Sequence, residues 1–136
     1  MAKVIAIVNQ KGGVAKSTSC VNLGIGLVKK GYKVLAIDFD RQGSLTESLG
    51  YQNPDELEIT VATILHCEMN GLELPESYGI LHHEEGLDIL PANIELSGVE
   101  VSLVNVMSRE YVLKQFIKLI SPEYDYILID NMPSLG

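Results

Sequence analysis

The apolar residues of this chain fall into short runs, and four of these runs have the length of a β-strand: residues 4–8, residues 34–37, residues 87–91, which include Asp88, and residues 126–130, which end in Asp130. Runs of this length that are rich in Val, Ile and Leu are typical of strands buried on both faces of a parallel sheet. The run at residues 4–8 therefore predicts a central strand.

The segments between these runs have the apolar spacing of helices. One helix is predicted from residue 16 to about residue 30, before Gly31, and another over residues 108–120, before Pro122. Shorter helices with a capping residue are predicted at residues 44–50 (Ser44, with Glu47 at the spacing of a capping box), from Thr60 to about residue 66, and after Asn93.

Strands that alternate with helices predict an α/β fold, with a mostly parallel sheet flanked by helices in a single domain. The first two strands are joined by a right-handed crossover, so they pair in parallel either directly or with one strand between them. Residues 68–86 are acidic and contain three glycines and one proline. We expect an irregular surface insertion there, with a short strand at residues 78–81.

A glycine-containing segment, N-Q-K-G-G-V-A-K-S-T at residues 9–18, joins the first strand to the first helix. Backbone amides in such a turn converge on phosphate oxygens, and a helix N-terminus adds positive potential. Lys16 would reach the β- and γ-phosphates of a nucleotide, and the Ser17 hydroxyl would bind Mg²⁺. The segment departs from the pattern G-x-x-x-x-G-K-[ST], because Gln10 and Ala15 replace its two glycines. The alternative is a plain turn with solvated lysines.

The backbone conformation at Ala15 decides whether its methyl group is tolerated. A positive φ would make alanine cost about 1 kcal/mol or more relative to glycine. In the first turn of a helix, alanine is favourable. We expect the second arrangement, because Ala15 immediately precedes the predicted helix.

Acidic residues follow two of the predicted strands. Asp38 and Asp40 follow the second strand, and Asp130 ends the fourth. The carboxyl ends of parallel strands meet at the edge where open α/β sheets bind ligands. Each acidic group alone is equally typical of a turn after a strand, but both together with the glycine segment predict a nucleotide and metal site.

Three strings of the sequence resemble motifs of the ParA/MinD family of P-loop ATPases. K-G-G-V-A-K-S resembles the deviant Walker A motif, D-F-D-R-Q-G resembles switch I, with Arg41 in place of a proline, and D-N-M-P-S-L-G resembles the Walker B end and switch II. The resemblance covers the whole chain and implies a P-loop NTPase-type fold, with residues 1–136 as the N-terminal portion of a single deviant Walker A domain.

The resemblance also implies roles for particular residues. Lys11 would act across an ATP-bound dimer, and Asp40 would orient the attacking water. By the same resemblance, the nucleotide-binding residues are Lys11, Gly12, Gly13, Val14, Ala15, Lys16, Ser17 and Thr18, the catalytic residues are Lys11, Lys16 and Asp40, and the Mg²⁺ ligands are Ser17, Asp38 and Asp130.

The implied function is that of an ATP-hydrolysing switch protein of chromosome or plasmid partitioning, with ATP and Mg²⁺ as cofactors. The strings N-Q-K-G-G-V and D-F-D-x-Q-G favour ParA-like over MinD-like members. The resemblance implies a homodimer that forms on ATP, a ParB-type partner protein, and DNA bound without sequence preference by elements C-terminal to residue 136. It implies a cytoplasmic, nucleoid-associated protein that does not bind membranes.

Composition is compatible with this interpretation. The net charge of −8 argues against a surface that coats nucleic acid, but the charge divides into +5 for residues 1–45 and −13 for residues 46–136. The basic part contains the glycine segment. No apolar run approaches the roughly 20 residues of a membrane span, and the N-terminus has no signal-peptide pattern. The two cysteines and three histidines have no metal-site spacing and predict core or surface positions.

Two other functions stay open at this point. A nucleotide-binding module with impaired hydrolysis is suggested by Ala15 and Arg41. A MinD-like membrane-positioning ATPase would need a C-terminal amphipathic helix, which this sequence does not contain.

Overall fold

A computed structural model describes residues 2–8, 13–39, 43–51, 57–93 and 106–132. The fold alternates strands and helices as the sequence predicts. In chain order the elements are β1 (Lys3–Val8), α1 (Gly13–Lys29), β2 (Val34–Asp38), α2 (Ser44–Ser48), α3 (Val61–Met69), a 3-10 helix (Glu76–Gly79), β3 (Leu81–His82), β4 (Asp88–Leu90), α4 (Val106–Ile120), a 3-10 turn (Ser121–Glu123) and β5 (Tyr126–Met132).

The five strands form one sheet in the order β1-β5-β2-β4-β3. β1, β5, β2 and β4 are parallel, and only the short β3 pairs in the antiparallel direction, with β4. β5 lies between β1 and β2, so the first two strands are separated by one strand, which was one of the two arrangements that the crossover allowed. Three strands from distant parts of the chain therefore end side by side.

The side chains of the central strands alternate between two apolar layers, because successive residues of a strand point to opposite faces. Val34 and Ala36 of β2 and Leu128 of β5 belong to the layer that contains Cys20 of α1. The opposite layer is larger and contains residues of α3 and α4; its strand members are Leu35, Ile37, Leu90, Ile127 and Ile129. Both faces of β2 and β5 are thus buried between helices.

The prediction of a central, fully buried β1 is wrong for this structure. β1 is an edge strand of the described sheet, and the side chain of Val4 is 47% exposed. Ile5 and Ile7 pack partly against the layer beneath α1, whereas Val4 and Ala6 face the other way and are exposed. An apolar run indicates where a strand lies in the sequence. How far that strand is buried depends on its neighbours in the sheet.

The predicted cap of α2 is also wrong. Ser44 is the first residue of the helix, and the capping position is Gly43, whose left-handed backbone (φ 68°, ψ 34°) leads into α2. The Ser44–Glu47 capping box is therefore not formed. Glycine suits this position because it adopts a positive φ without steric cost.

At α3 the predicted cap is confirmed. Thr60 is the capping residue of α3, and its amide donates a hydrogen bond to Oγ1 of Thr63 at 3.1 Å.

Two other predicted boundaries shift. The short strand expected at residues 78–81 begins at Leu81, because Ser77 and Tyr78 have left-handed backbones (φ 56° and 57°). The last helix begins at Val106, two residues before the predicted start. The helix predicted after Asn93 lies largely outside the described residues.

Candidate functional site

Helix α1 begins just beyond the carboxyl end of β1, with four residues between the two elements. The backbone of residues 13–18 forms the first turns of this helix. Ala15 therefore has a helical backbone, which removes the positive-φ cost that alanine would otherwise bear. Amides in the first turn of a helix have no partner within the helix and point outward along its axis. Lys11 and Gly12 lie outside the described residues.

Asp38 and Asp130 are neighbours across the pairing of β2 with β5. The two residues are in register at the carboxyl ends of their strands, and Ile7 of β1 is in register with Asp130 on its other side. Both aspartates are fully buried. Adjacent strands are about 4.8 Å apart, so two carboxylate-bearing positions meet at the same sheet edge as the start of α1.

The alternation of side chains assigns both aspartates to the face beneath α1. Asp38 has the same parity as Ala36, and Asp130 the same parity as Leu128, and both of those residues pack with Cys20 of α1. Burial of the Cys20 thiol, followed by the negative charges of Asp130 and Asp38, raises its pKa to about 12. The electrostatic effect on Cys20 agrees with the parity, so α1 lies over both carboxylates.

The carboxylate of Asp38 is held by helix α2. Its Oδ2 atom accepts a hydrogen bond from the Thr46 amide at 3.0 Å and another from Thr46 Oγ1 at 2.6 Å. Asp38 thus binds an amide in the first turn of α2, where the capping glycine has no side chain to do so. Sequence analysis missed Thr46. The only signal was its position between the apolar Leu45 and Leu49, which places it on the buried side of the helix.

An irregularity in β5 follows Asp130 directly. Ile7 of β1 pairs with Asp130, but the next residue, Val8, pairs with Met132. Asn131 is therefore an additional residue on β5, and the strand runs two residues further than the predicted end at Asp130. Bulges of this kind are common beside active sites, where they re-aim the chain.

Other predicted site residues are only partly placed. Asp40 and Arg41, with the rest of the switch I string up to residue 42, lie outside the described residues, as do residues 133–136 of the switch II string. For Val14, Lys16, Ser17 and Thr18 the structure gives the backbone position in α1. Their roles, like those of the other site residues, stay predictions.

The donor set at this edge fits a hard dication. Mg²⁺ prefers carboxylate, hydroxyl and water oxygens and uses few protein ligands when phosphates complete its shell. Two buried carboxylates side by side supply oxygen donors and an excess of negative charge. Within the described ranges, no group of three or more His, Cys, Asp or Glu side chains is arranged to hold a metal. A site here would therefore depend on two carboxylates with additional oxygen ligands.

The cysteines and histidines lie where the sequence predicted. Cys20 and Cys67 are buried free thiols. His66 and His82 are exposed and His83 is partly exposed, and Nδ1 of His82 lies 2.6 Å from an Asp88 carboxylate oxygen. Among the helices that the structure describes, none combines the length and apolar character that crossing a bilayer requires.

Comparison with known proteins decides the family. A family model described as an AAA domain, AAA_31, matches residues 2–136. The chain belongs to the AAA_31 family. Two of its relatives are the sporulation initiation inhibitor protein Soj of Bacillus subtilis (strain 168), 43% identical over 136 residues, and the chromosome-partitioning ATPase Soj of Treponema pallidum (strain Nichols), 40% identical over 136 residues. Both alignments cover 100% of this chain but only 52% and 51% of the relatives.

A solved structure supports the fold described above. Cobyrinic acid a,c-diamide synthase from Mycobacterium smegmatis with a bound ATP analogue and magnesium matches with a TM-score of 0.84 at 40% identity, over 100% of this chain and 53% of that one. The chain thus spans about half the length of the proteins it matches. The predicted fold class and the resemblance to ParA-type ATPases are confirmed.

Proposed function

We propose that this AAA_31 chain binds ATP and Mg²⁺ and carries the hydrolytic site of a ParA-type partitioning ATPase. The observation that carries the proposal is the pairing of Asp38 with Asp130, both buried beneath α1, at the sheet edge where that helix begins. The bound ATP analogue and magnesium in the Mycobacterium smegmatis structure support the ligands. The Soj relatives, one of which is a chromosome-partitioning ATPase, support the assignment to partitioning.

The chain's own groups divide the work of phosphoryl transfer. The amides of residues 13–18, at the start of α1, donate hydrogen bonds to phosphate oxygens. Lys16 neutralises charge that develops between the β- and γ-phosphates, and Asp40 orients the attacking water for in-line displacement. Lys11 contacts the nucleotide of a second copy of the chain, so the active form is a homodimer assembled on ATP.

The acidic strand ends prepare the metal site. Ser17 would supply a hydroxyl ligand, and Asp38 and Asp130 would hold the metal through its water ligands. Mg²⁺ held there would neutralise negative charge on the phosphate oxygens. Because both carboxylates are buried in a packed core, their positions are fixed before ATP binds, and little reorganisation is needed during the reaction.

The partners follow from the same proposal. We expect ATP turnover to rise when a ParB-type partner and DNA are added, with the DNA contacts made by elements of the longer relatives that lie beyond the aligned half. A protein of this kind would be found in the cytoplasm on the nucleoid.

Another candidate function is favoured by one observation, the TM-score of 0.84 to cobyrinic acid a,c-diamide synthase. Amide formation needs an ammonia donor and a carboxylic acid acceptor. Turnover that depends on those two compounds, and does not respond to DNA with a ParB-type partner, would favour this function. A binding module without hydrolysis is distinguished by single-turnover measurement of phosphate release.

The first experiment tests the phosphate site. We expect Lys16→Ala to weaken ATP binding by at least about tenfold in calorimetry, because a charge-assisted phosphate contact is lost. Lys30→Ala is the matched control, since Lys30 is an exposed lysine just beyond the other end of α1. Equal affinities for the Lys16→Ala variant and the wild type would contradict the assignment of the loop.

The second experiment tests the catalytic assignment. We expect Asp40→Ala to bind ATP as the wild type does and to lower turnover by about 100-fold or more, because the attacking water is no longer oriented. Normal turnover would remove Asp40 from the mechanism.

A further inference from the structure

Among the described residues, Thr46 has a buried hydroxyl that both donates and accepts a hydrogen bond. The site predicted from the sequence did not include Thr46. Its side chain is fully buried. Its Oγ1 atom donates to Asp38 Oδ2 at 2.6 Å and accepts from the Ala92 amide at 3.2 Å, while its own amide donates to the same Asp38 oxygen at 3.0 Å. Three hydrogen bonds meet at one residue of a five-residue helix.

These contacts join three parts of the fold. Asp38 ends β2, Thr46 lies in α2, and Ala92 follows the end of β4. A buried hydroxyl is costly unless its hydrogen bonds are made, and a valine of nearly the same shape would fill the space without that requirement. The hydroxyl therefore has a role that packing alone does not supply.

We propose that Thr46 is a positioning residue for the metal site, acting through Asp38. This inference rests on the proposed function. Two donors on a single carboxylate oxygen fix the rotation of the Asp38 carboxylate and hence the direction in which its other oxygen faces. Outer contacts of this kind orient ligands, and losing one typically lowers metal affinity by about 10- to 100-fold.

The same contacts join α2 to two neighbouring strands. Asp38 and Thr46 are eight residues apart, and their hydrogen bonds join the end of β2 to α2. The Ala92 amide, which donates to Thr46 Oγ1, joins the same helix to the residues after β4. Losing the Thr46 hydroxyl would remove one hydrogen bond to each strand end.

The test measures binding of Mn²⁺ in the presence of ADP, followed by electron paramagnetic resonance of the free ion, in wild type, Thr46→Val and Thr46→Ser. We expect Thr46→Val to weaken Mn²⁺ binding by about tenfold or more and Thr46→Ser, which retains the hydroxyl, to restore it to within about threefold. Affinity for ADP alone stays within about twofold of wild type, because the hydrogen bonds of the Thr46 side chain go to Asp38 and Ala92. Ser121→Ala is the control, since it removes a buried hydroxyl that accepts a hydrogen bond from the Ala2 amide near the amino ends of β1 and β5.

Amide hydrogen exchange gives a readout that does not depend on ligands. The Ala92 amide should exchange faster in Thr46→Val, which has no acceptor for it, and at the wild-type rate in Thr46→Ser. If Thr46→Val does not fold, Thr46→Ser and Thr46→Cys decide the matter, because both lack the methyl group and differ in the strength of the donor. Weaker Mn²⁺ binding in the Cys variant than in the Ser variant supports the inference.

The outcomes separate the two proposals. Wild type that binds Mn²⁺ with ADP, together with an equally tight Thr46→Val variant, overturns the role of Thr46 and leaves the proposed function in place. Wild type that binds no Mn²⁺ with ADP overturns the proposed function and the role of Thr46 with it. Equal losses in Thr46→Val and Ser121→Ala show a general structural effect and overturn the positioning role.

Discussion

Asp38 and Asp130 place two carboxylates beside each other in the interior of the protein. Two like charges about 5 Å apart repel by about 3 kcal/mol at an effective dielectric constant near 20. Hydrogen bonds from Thr46 offset part of this cost at Asp38. The remaining repulsion destabilises the unliganded protein, and a dication held near the carboxylates through its water ligands would reduce it.

Replacing Asp130 should therefore stabilise the metal-free protein. We expect Asp130→Asn to raise the free energy of unfolding by about 1–3 kcal/mol in Mg²⁺-free buffer, because it removes one of the two repelling charges. Glu123→Gln is the control and should stay within about 0.5 kcal/mol, since Glu123 is exposed. Urea denaturation checks both, and a loss of stability in Asp130→Asn would show that other interactions of this carboxylate outweigh the repulsion.

Tyr124 contributes to the free energy of unfolding, and this contribution decreases at alkaline pH. Its hydroxyl donates a hydrogen bond to Asp88 Oδ2 at 2.7 Å, and burial followed by this bond and the Asp88 charge raises the pKa of Tyr124 above its ordinary value of 10.0. The unfolded chain therefore releases the tyrosine proton before the folded protein does. The resulting stability is complete below pH 10 and is lost as the pH rises further.

Comparison with Tyr124→Phe isolates this effect. We expect the wild type to be more stable than the variant at pH 9 and to lose about 1 kcal/mol of that advantage between pH 9 and pH 11, allowing for screening by water at this partly exposed side chain. The free energy of unfolding in urea at both pH values measures it. An advantage that grows with pH would contradict the direction of the shift.

Two glycines within a single turn of helix α1, Gly24 and Gly26, have different surroundings. A methyl group added to Gly24 would lie 3.0 Å and 3.1 Å from the two terminal carbons of Leu87, whereas one added to Gly26 would meet nothing within 4 Å. The first glycine allows α1 to approach the sheet closely. The second has no such contact and carries only the entropic cost of glycine in a helix.

These two positions form a matched pair for mutation. We expect Gly26→Ala to raise the free energy of unfolding by about 0.5–1 kcal/mol. The free energy of unfolding of the Gly24→Ala variant should be lower than that of the Gly26→Ala variant by about 1 kcal/mol or more, because Leu87 must shift in a packed layer. Denaturant titration of both variants measures the difference, and equal values would show that Leu87 accommodates the methyl group freely.

The sequence predicted the positions of the helices and strands more accurately than the contacts between them. The apolar runs located β2, β4 and β5, and the acidic residues marked the strand ends that meet at the site. The order of the strands could not be read from spacing, because the crossover allowed β1 and β2 to pair directly or through a third strand. Thr46 could not be identified as a partner of Asp38 either, since that contact depends on the left-handed turn at Gly43 that brings α2 back over β2.

The molecule as a whole is a five-stranded sheet with one apolar edge left open among its described elements. Val4 and Ala6 of β1 are exposed on the face opposite α1, and β1 has a strand partner on one side only. Unpaired main-chain groups beside apolar side chains favour pairing between molecules.

Self-association of the 136-residue chain should therefore depend on β1. We expect sedimentation of the nucleotide-free chain to show concentration-dependent association, and Val4→Lys to weaken it by placing a charge at the edge. Leu119→Lys is the control, because Leu119 is an exposed apolar residue of a helix and has no place in the strand edge. Equal association in Val4→Lys and wild type would exclude β1 as the contact.

The additional residue Asn131 has a consequence for how this protein tolerates change in length. Deleting it would place Met132 directly after Asp130, still opposite Val8, and would remove the bulge that re-aims the chain beyond the acidic end of the strand. We therefore expect natural relatives to keep a constant spacing after the position of Asp130, while the turn between β3 and β4 accepts gains and losses of residues.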